Sequence, residues 1–209
     1  MRKPQDCCPN CYSTRLQCLC DSIPRIDVTT RVCLIIHHRE LSRSSNTGLL
    51  ALRALINSDL RVRGKSAAPL DLSDLLTSTY RTLFLFPAPD ALELDREFLA
   101  QDPRPIQLIV PDGTWRQASK VYARQRDLHS VPRVKIGAPQ RPGFTLRRQH
   151  RPEGMATLQA IAHALGVIEG DHVKAQLLQL YRTKLARSLA GRGLIVASSV
   201  VASLPDAAV

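Results

Sequence analysis

The sequence predicts an α/β protein: a mostly parallel sheet covered by helices on both faces, with a small knuckle ahead of it. Three observations lead there. Short apolar runs alternate with longer amphipathic segments from about residue 31 to residue 191, the pattern of strands buried on both faces between helical crossovers. No apolar run reaches the roughly 18–20 residues a membrane span needs, and the opening "MRKPQD" is polar with no signal-peptide core behind it. Five of the six cysteines crowd into "CCPNCYSTRLQCLC", residues 7–20. With 209 residues, the chain suits one ordinary domain plus an appendage, and its core needs no disulfides. The expected division is a knuckle over 1–24, a body over 25–191 and a tail over 192–209. The expected compartment is the cytoplasm.

The elements follow in order. "RVCLII" (31–36) reads as a buried strand, and a helix runs from about Thr47 to Asn57 with Leu49, Leu52, Ala54 and Ile56 among its apolar members. "TLFLFP" (82–87) is a second strand closed by prolines, and "DALELDREFLAQ" (90–101) is a helix with an Asp cap. "IQLIVP" (106–111) is a third strand, followed by a helix over 114–128 and a short strand in "VPRVKIG". "MATLQAIAHALGVI" (155–168) is helical, with Leu158, Ile161, Ala162 and Leu165 on one face, and 171–191 is a long amphipathic helix with a Gly stop. From Arg192 on, an edge strand and a loose tail are both open readings.

In a reducing compartment a dense cysteine cluster points to metal before disulfide. Cys8-x2-Cys11 and Cys18-x-Cys20 are two close pairs six residues apart, able to converge on one tetrahedral Zn²⁺. Thirteen residues cannot build a core, so the metal would supply the knuckle's folding energy. Four protein ligands leave no open position, which makes the site structural. The Zn(Cys)4 charge of minus two is expected to be offset by Arg2, Lys3, Arg15 and Arg25. Cys7 is outside the pattern, and Cys33 reads as a small core residue.

Twenty-nine Lys and Arg against eighteen Asp and Glu give a net charge of +11, which favours a polyanionic partner, nucleic acid before lipid. The cations concentrate from Arg116 to Arg151: Arg116, Lys120, Arg124, Arg126, Arg133, Lys135, Arg141, Arg147, Arg148 and Arg151, opposed only by Asp127. That stretch reads as an electrostatic track for an RNA backbone.

In parallel sheets ligands sit beyond the carboxyl ends of the strands. "PDGTW" (111–115) leaves the third strand at that edge. Asp112 presents a carboxylate there, Gly113 permits close backbone approach, Thr114 can cap the next helix, and Trp115, the only tryptophan, can stack on a flat base. A turn, a cap and a helix packed by its indole explain the same residues equally well. Two other loops reach this edge: "HHRELSRSSNTG" (37–48) and "RRQHRPEGMATLQ" (147–159). His37 and His38 end a strand there and read as structural.

Asp112-Gly113-Thr114-Trp115 resembles the Asp-x-Thr-Trp signature of the DTW-domain proteins. The C-x2-C-x6-C-x-C arrangement resembles their N-terminal knuckle, and "HHRE" (37–40), "SNTG" (45–48) and "LRRQHRPEG" (146–154) stand in the right order around the signature. The resemblance spans about residues 7–190. It implies a SPOUT-like fold and a tRNA-uridine aminocarboxypropyltransferase, which moves the 3-amino-3-carboxypropyl group of S-adenosylmethionine to N3 of a uridine and releases methylthioadenosine. On that reading Asp112 is the base for the N3 proton or orients the N3–H edge. Gly113, Thr114, Trp115, Ser45, Asn46, Thr47, Gly48, Glu153, Gly154 and Thr157 shape the pocket, and Arg147 and Arg148 pair with the donor carboxylate or RNA phosphate. Family members often carry Thr-x-Glu at the start of the helix after the third loop. This chain has Thr157-Leu158-Gln159, whose amide accepts a hydrogen bond but carries no charge. A SPOUT-type RNA methyltransferase and a non-enzymatic zinc-knuckle RNA-binding protein are the competing expectations.

Overall fold

The computed structural model describes residues 7–64, 70–137, 146, 154–191 and 193. Six strands make one sheet: β1 (Arg31–His37), β2 (Ser58–Arg63), β3 (Arg81–Leu85), β4 (Leu92–Glu93), β5 (Ile106–Asp112) and β6 (Arg133–Lys135). Their order is β2-β1-β5-β3-β6-β4, and every neighbouring pair is parallel.

The side-chain alternation of a strand feeds two cores. Val32, Leu34 and Ile36 of β1 join Leu108 and Val110 of β5 in one apolar cluster. Cys33, Ile35 and Ile109, with Phe84 of β3, belong to another on the opposite face. The first face carries α1 (Gly48–Ala54), α2 (Arg96–Ala100), α4 (Thr157–Ile168) and α5 (Asp171–Ala190), which contribute Leu50, Phe98, Ile161 and Tyr181 among others. The second face is thinner. It is covered by Val121 of α3 (Trp115–Arg124) and by Leu72, Leu75, Leu128 and Val131 from the flanking segments. Cys33 is the expected core residue, with no exposed surface, and burial pushes its thiol up to about 12. Leu158, Ile161 and Leu165 of α4 are likewise fully buried, each contributing about 1.5–3 kcal/mol.

Two strands escape the sequence pattern. β2 ("SDLRVR") is half-buried throughout and too charged to read as a strand. Its charges are paired within the strand and with its neighbours: Arg61 meets Asp59 of the same strand at 2.7 Å and Asp74 of the turn before β3 at 2.7 Å, and Arg31 of β1 meets Asp59 at 3.1 Å. The segment 90–101, expected as one helix, is a short strand followed by a short helix. β4 is drawn out by pairing Leu92 with Val134, and the cap of α2 is Asp95, which accepts the Phe98 N–H at 2.7 Å. Asp90, the expected cap, instead pairs with Arg133. The first helix is also shorter than expected, because the Ile26 N–H donates to Ala54 O and the Ile56 N–H to Ile26 O, pulling the chain into an extended bridge. The tail from 194 on lies outside the described residues, as do Arg2 and Lys3.

Topology fixes where a ligand can sit. After β1 the chain crosses the first face through α1 to β2. After β5 it crosses the second face through α3 and leaves the other way, to β6. The carboxyl ends of β1 and β5 therefore flank a crevice at a topological switch point, the place where open α/β sheets bind ligands.

Candidate active site and metal centre

A cavity of about 360 Å³ opens at that switch point, within the size range of small-molecule sites. Its polar side is built by Arg43, Ser45, Asn46 and Thr47 from the turn after β1, by Asp112, Gly113 and Thr114 after β5, and by Thr157 of α4. Leu85, Phe86, Val110, Ile136, Met155 and Tyr181 supply much of its apolar lining.

Asp112 is the hub. It ends β5 opposite Ile36 of β1 and is 5% exposed. Asn46 Nδ2 donates to its Oδ2 at 2.5 Å, and Thr157 Oγ1 donates to its Oδ1 at 2.5 Å. Two segments far from it in sequence thus hold the two carboxylate oxygens. Asn46 is itself anchored, because its Oδ1 accepts the Leu49 N–H at 2.9 Å and so caps α1. Thr47 ties the same turn to α4 by accepting the Leu158 N–H on its hydroxyl at 3.3 Å. Gly48 lies against the carboxylate: a Cβ there would stand 3.1 Å from Asp112 Cγ and Oδ2 and 3.0 Å from Leu34 Cδ2. The "SNTG" loop therefore caps a helix, and through the same Asn46 side chain it orders the floor of the cavity.

Signature residues on the far side divide similarly. Gly113 adopts φ +147°, and a Cβ would press to 2.9 Å on Gln117 Oε1. Gln117 fills that space because it closes a reciprocal cap with Thr114: the Thr114 N–H donates to Gln117 Oε1 at 2.8 Å, and the Gln117 N–H to Thr114 Oγ1 at 3.3 Å. Trp115 lines the cavity, its ring centroid 5.0 Å from that of Phe86 at a 44° tilt. Gln159 does not reach the cavity. Its Oε1 accepts the Ala156 N–H at 3.2 Å, satisfying a free donor at the start of α4. Gly154 is close in sequence but does not line the cavity either, whereas Met155 and Ala156 do. Arg141, Arg147, Arg148, Arg151 and Glu153 lie outside the described residues.

Sequence reasoning missed Arg43, Tyr181 and Lys135 as cavity residues. Arg43 falls inside a loop already singled out, so its charge was a usable signal. Tyr181 sits in an amphipathic helix where nothing distinguishes it from core.

Beside this edge lies a cationic surface. Arg116, Lys120 and Arg124 repeat every four residues along α3, so they share one face. Repulsion from Arg116 and Arg124 holds the Lys120 ammonium below the ordinary lysine value, with smaller contributions from desolvation and Arg63. Arg63, at the end of β2, donates to Gln117 O at 2.8 Å. Arg126 lies in the 3₁₀ turn that follows α3. His37 and His38 stack at the end of β1, centroids 4.6 Å apart. Burial first, then His38 and Arg63, lowers the pKa of His37, and its Nδ1 accepts the Arg39 N–H at 3.3 Å.

At the other end of the sequence, Cys8, Cys11, Cys18 and Cys20 bring their sulfurs within 4.8 Å of one another. Cys8–Cys20 is 3.5 Å and Cys11–Cys18 is 3.8 Å. A tetrahedron of sulfurs about 2.3 Å from a zinc ion has edges of about 3.8 Å, so the donor set fits Zn²⁺. Protein donors already point at the sulfurs: the Leu19 N–H at Cys11 and Asn10 Nδ2 at Cys20, each at 3.3 Å. Backbone amides of Cys11 and Asn10 bring the Cys8 thiol down to about 6. The Asn10 amide draws Cys20 down too, but desolvation and the sulfurs of Cys8, Cys18 and Cys11 push it up to about 12. Four thiolates that close repel one another, and a divalent cation between them removes the conflict. Cys7 stays out of the cluster and bridges to Thr14.

Among the described residues, two cations of α5 reach the knuckle. Lys184, 2% exposed, donates to Ser13 Oγ at 2.6 Å. Arg187 donates to Cys18 O and, at 2.9 and 3.0 Å, to both oxygens of Asp21.

Residues 5–189 match the DTW domain. The chain belongs to the DTW domain family. Its relatives include tRNA-uridine aminocarboxypropyltransferase 2 of Drosophila melanogaster, 28% identical over 169 residues that make up 78% of this chain and 66% of that protein. The protein of the same name from Macaca fascicularis is 24% identical over 184 residues, 85% of this chain and 61% of that one. The tRNA-uridine aminocarboxypropyltransferase A of Arabidopsis thaliana is 24% identical over 206 residues, 84% of this chain and 78% of that one. The chain thus spans less than two thirds of the first two proteins' own length. No solved structure gives a significant match. Among the described residues of this DTW domain, no helix is long and apolar enough to cross a membrane.

Proposed function

We propose that this DTW-domain chain is a tRNA-uridine aminocarboxypropyltransferase built on a SPOUT-like body, with S-adenosylmethionine as donor and a structural Zn²⁺ held by Cys8, Cys11, Cys18 and Cys20. One observation carries the reading. The signature carboxylate of Asp112 lies at the switch-point cavity, both of its oxygens held from remote segments, in a chain matched over most of its length by relatives that bear this name.

The chemistry is an alkyl transfer. The sulfonium activates three carbons, and the one aligned with the acceptor is the one that leaves, so outcome follows orientation. Uridine N3 forms a bond to the γ-carbon of the aminocarboxypropyl arm. The carbon–sulfur bond breaks with its electron pair going to sulfur, and neutral methylthioadenosine departs. The N3 proton goes to Asp112, whose oxygens retain lone pairs beyond those engaged by Asn46 and Thr157. A positioned base of this kind contributes roughly 10²–10⁴-fold.

Trp115 and Phe86 offer the aromatic surface against which the adenine or the extruded uridine stacks. Arg116, Lys120, Arg124 and Arg63 form the track for tRNA phosphates beside the cavity. Incubation of unmodified tRNA with donor, followed by mass spectrometry of the nucleosides, tests the proposal. The expected product is aminocarboxypropyluridine with methylthioadenosine. A methylated nucleoside with adenosylhomocysteine would make the chain a methyltransferase, and no donor binding in calorimetry would make it an RNA-binding protein.

A further inference from the structure

We infer that Arg43 receives the donor's carboxylate, oriented from beneath by the buried carboxylate of Glu40, and thereby selects the aminocarboxypropyl arm for transfer. The inference rests on the donor chemistry proposed above. Arg43 lines the cavity. Its Nε stands 3.1 Å from Glu40 Oε1, and the Glu40 side chain has no exposed surface while that of Arg43 is 55% exposed. The contact is an attraction of charge rather than an aligned hydrogen bond: a buried anion draws in the inner edge of the guanidinium and leaves the outer edge open. No hydrogen bond joins the Arg43 Nη atoms to another described residue. A planar fork drawn in by its Nε side keeps its two Nη donors for an incoming group, the arrangement that suits bidentate carboxylate recognition.

Arg43 is also tied to the hub of the site. Its N–H donates to Glu40 O at 3.1 Å, and its carbonyl accepts the Asn46 N–H at 2.9 Å. Asn46 in turn holds Asp112. One short turn therefore carries both the guanidinium and the side chain that aligns the reacting carboxylate. Lys135, the other cation described at the cavity, is paired with Glu93 at 3.1 Å.

Of the three sulfonium substituents, only the aminocarboxypropyl arm ends in a carboxylate; the methyl group offers nothing to hold. Fixing the far end of that arm directs its γ-carbon–sulfur bond, as in-line transfer requires.

Three probes separate this role from general support of the cavity: S-adenosylmethionine, its decarboxylated analogue, and methylthioadenosine, which lacks the whole arm. Calorimetry on the wild-type protein is expected to give about 10- to 100-fold weaker binding of the decarboxylated analogue, the scale of a charge-assisted hydrogen-bond pair. Arg43→Gln should weaken S-adenosylmethionine to that same level and leave the other two probes unchanged. Glu40→Gln should produce a smaller loss confined to S-adenosylmethionine. Because Glu40 is buried, Arg43→Lys serves as a second variant that keeps the charge and loses the fork, with an intermediate loss on the same probe. Equal wild-type affinity for S-adenosylmethionine and its decarboxylated analogue overturns the role of Arg43 and leaves the donor assignment standing, as does equal weakening of all three probes by Arg43→Gln. If the wild-type protein binds none of the three, the donor assignment falls and this inference with it.

Discussion

The cysteine knuckle and the strand-end cavity are assembled by opposite means. The knuckle draws its four sulfurs from thirteen consecutive residues, Cys8 to Cys20, and lacks a large core of its own. The cavity gathers Asn46, Asp112 and Thr157, separated by 66 and 45 residues in sequence, on a frame of buried strands. One region is local in sequence and offers four thiols for an ion to tie together; the other is distant in sequence and depends on the sheet. They meet through α5. Tyr181 lines the cavity, and one turn later Lys184 and then Arg187 fasten the knuckle. A metal held by the four cysteines would therefore act on the knuckle directly and on the cavity only through one helix.

Metal removal should produce the largest effect. Chelation is expected to unfold residues 8–20, since structural zinc contributes on the order of 10 kcal/mol to such units, and to lower the melting temperature of the whole chain. Binding of S-adenosylmethionine, read from the single Trp115 at the cavity, should weaken but persist. Cys18→Ser should repeat the loss of metal, whereas Cys7→Ser should keep a stoichiometry of one. If chelation abolishes donor binding outright, the two regions are one unit and the division between them fails.

Asp112→Asn comes next. Transfer should fall by about 10²–10⁴-fold in single-turnover assays, while donor affinity changes little. The amide keeps one acceptor oxygen and sets its NH₂ against the other of the Asn46 and Thr157 donors, so a stability loss of about 1–3 kcal/mol is also expected. Metal content should stay at the wild-type value. Turnover near wild type would remove Asp112 from the chemistry.

Gly48→Ala tests the same site without touching its charge. The new methyl would press on Asp112 and Leu34, and overpacking of this kind costs about 1–3 kcal/mol. The turnover rate should drop more than the melting temperature suggests, because the atoms forced to yield include those of Asp112, the proposed base. A fall in stability with unchanged turnover would mean that Leu34 alone moves.

Lys120→Ala on the exposed face of α3 should leave donor binding and metal content untouched. The slope of log affinity for tRNA against log salt should become shallower by about one, as expected when one phosphate is no longer neutralised by the protein. An unchanged slope would take α3 off the RNA path.

What the sequence disclosed follows the same division. The convergence of the four cysteines could be read because spacing within a short segment is a tertiary constraint written in primary structure. Asp112, Thr114 and Trp115 could be read because a strand's carboxyl end followed by a turn and a cap is a local pattern. Arg43 stood in a loop already marked, yet its pairing with Glu40 arises only when the turn folds back. Lys184 and Tyr181 were invisible, since their roles depend on α5 packing beside segments distant in the chain. β2 was missed for a related reason: beyond the Arg61–Asp59 pair within it, its charges are balanced by Arg31 and Asp74 of other segments, which the strand's own residues do not show.

Acid should separate the two regions, and here the expected effect is smallest. Thiolates must be ionised to hold metal, so lowering the pH releases it. The body carries an ion pair of a different range. Hydrogen bonds from the Arg104 side chain and backbone hold Asp102 down to about 2, against an ordinary value of 3.8. A carboxylate whose pKa is depressed by folding contributes stability above its unfolded value, and that contribution is lost as the pH falls from there toward the folded value. Between the pH of metal release and about 3.9, the knuckle should therefore be open while the Asp102–Arg104 pair is intact. Parallel titrations, with a chromophoric chelator reporting zinc and circular dichroism reporting the body, are expected to give two transitions, zinc first. Asp102→Asn should shift the second slightly, because the pair is solvent-screened, and leave the first in place. Coincident transitions would show that the knuckle and the sheet unfold together, and that α5 couples them far more tightly than the bonds of Lys184 and Arg187 imply.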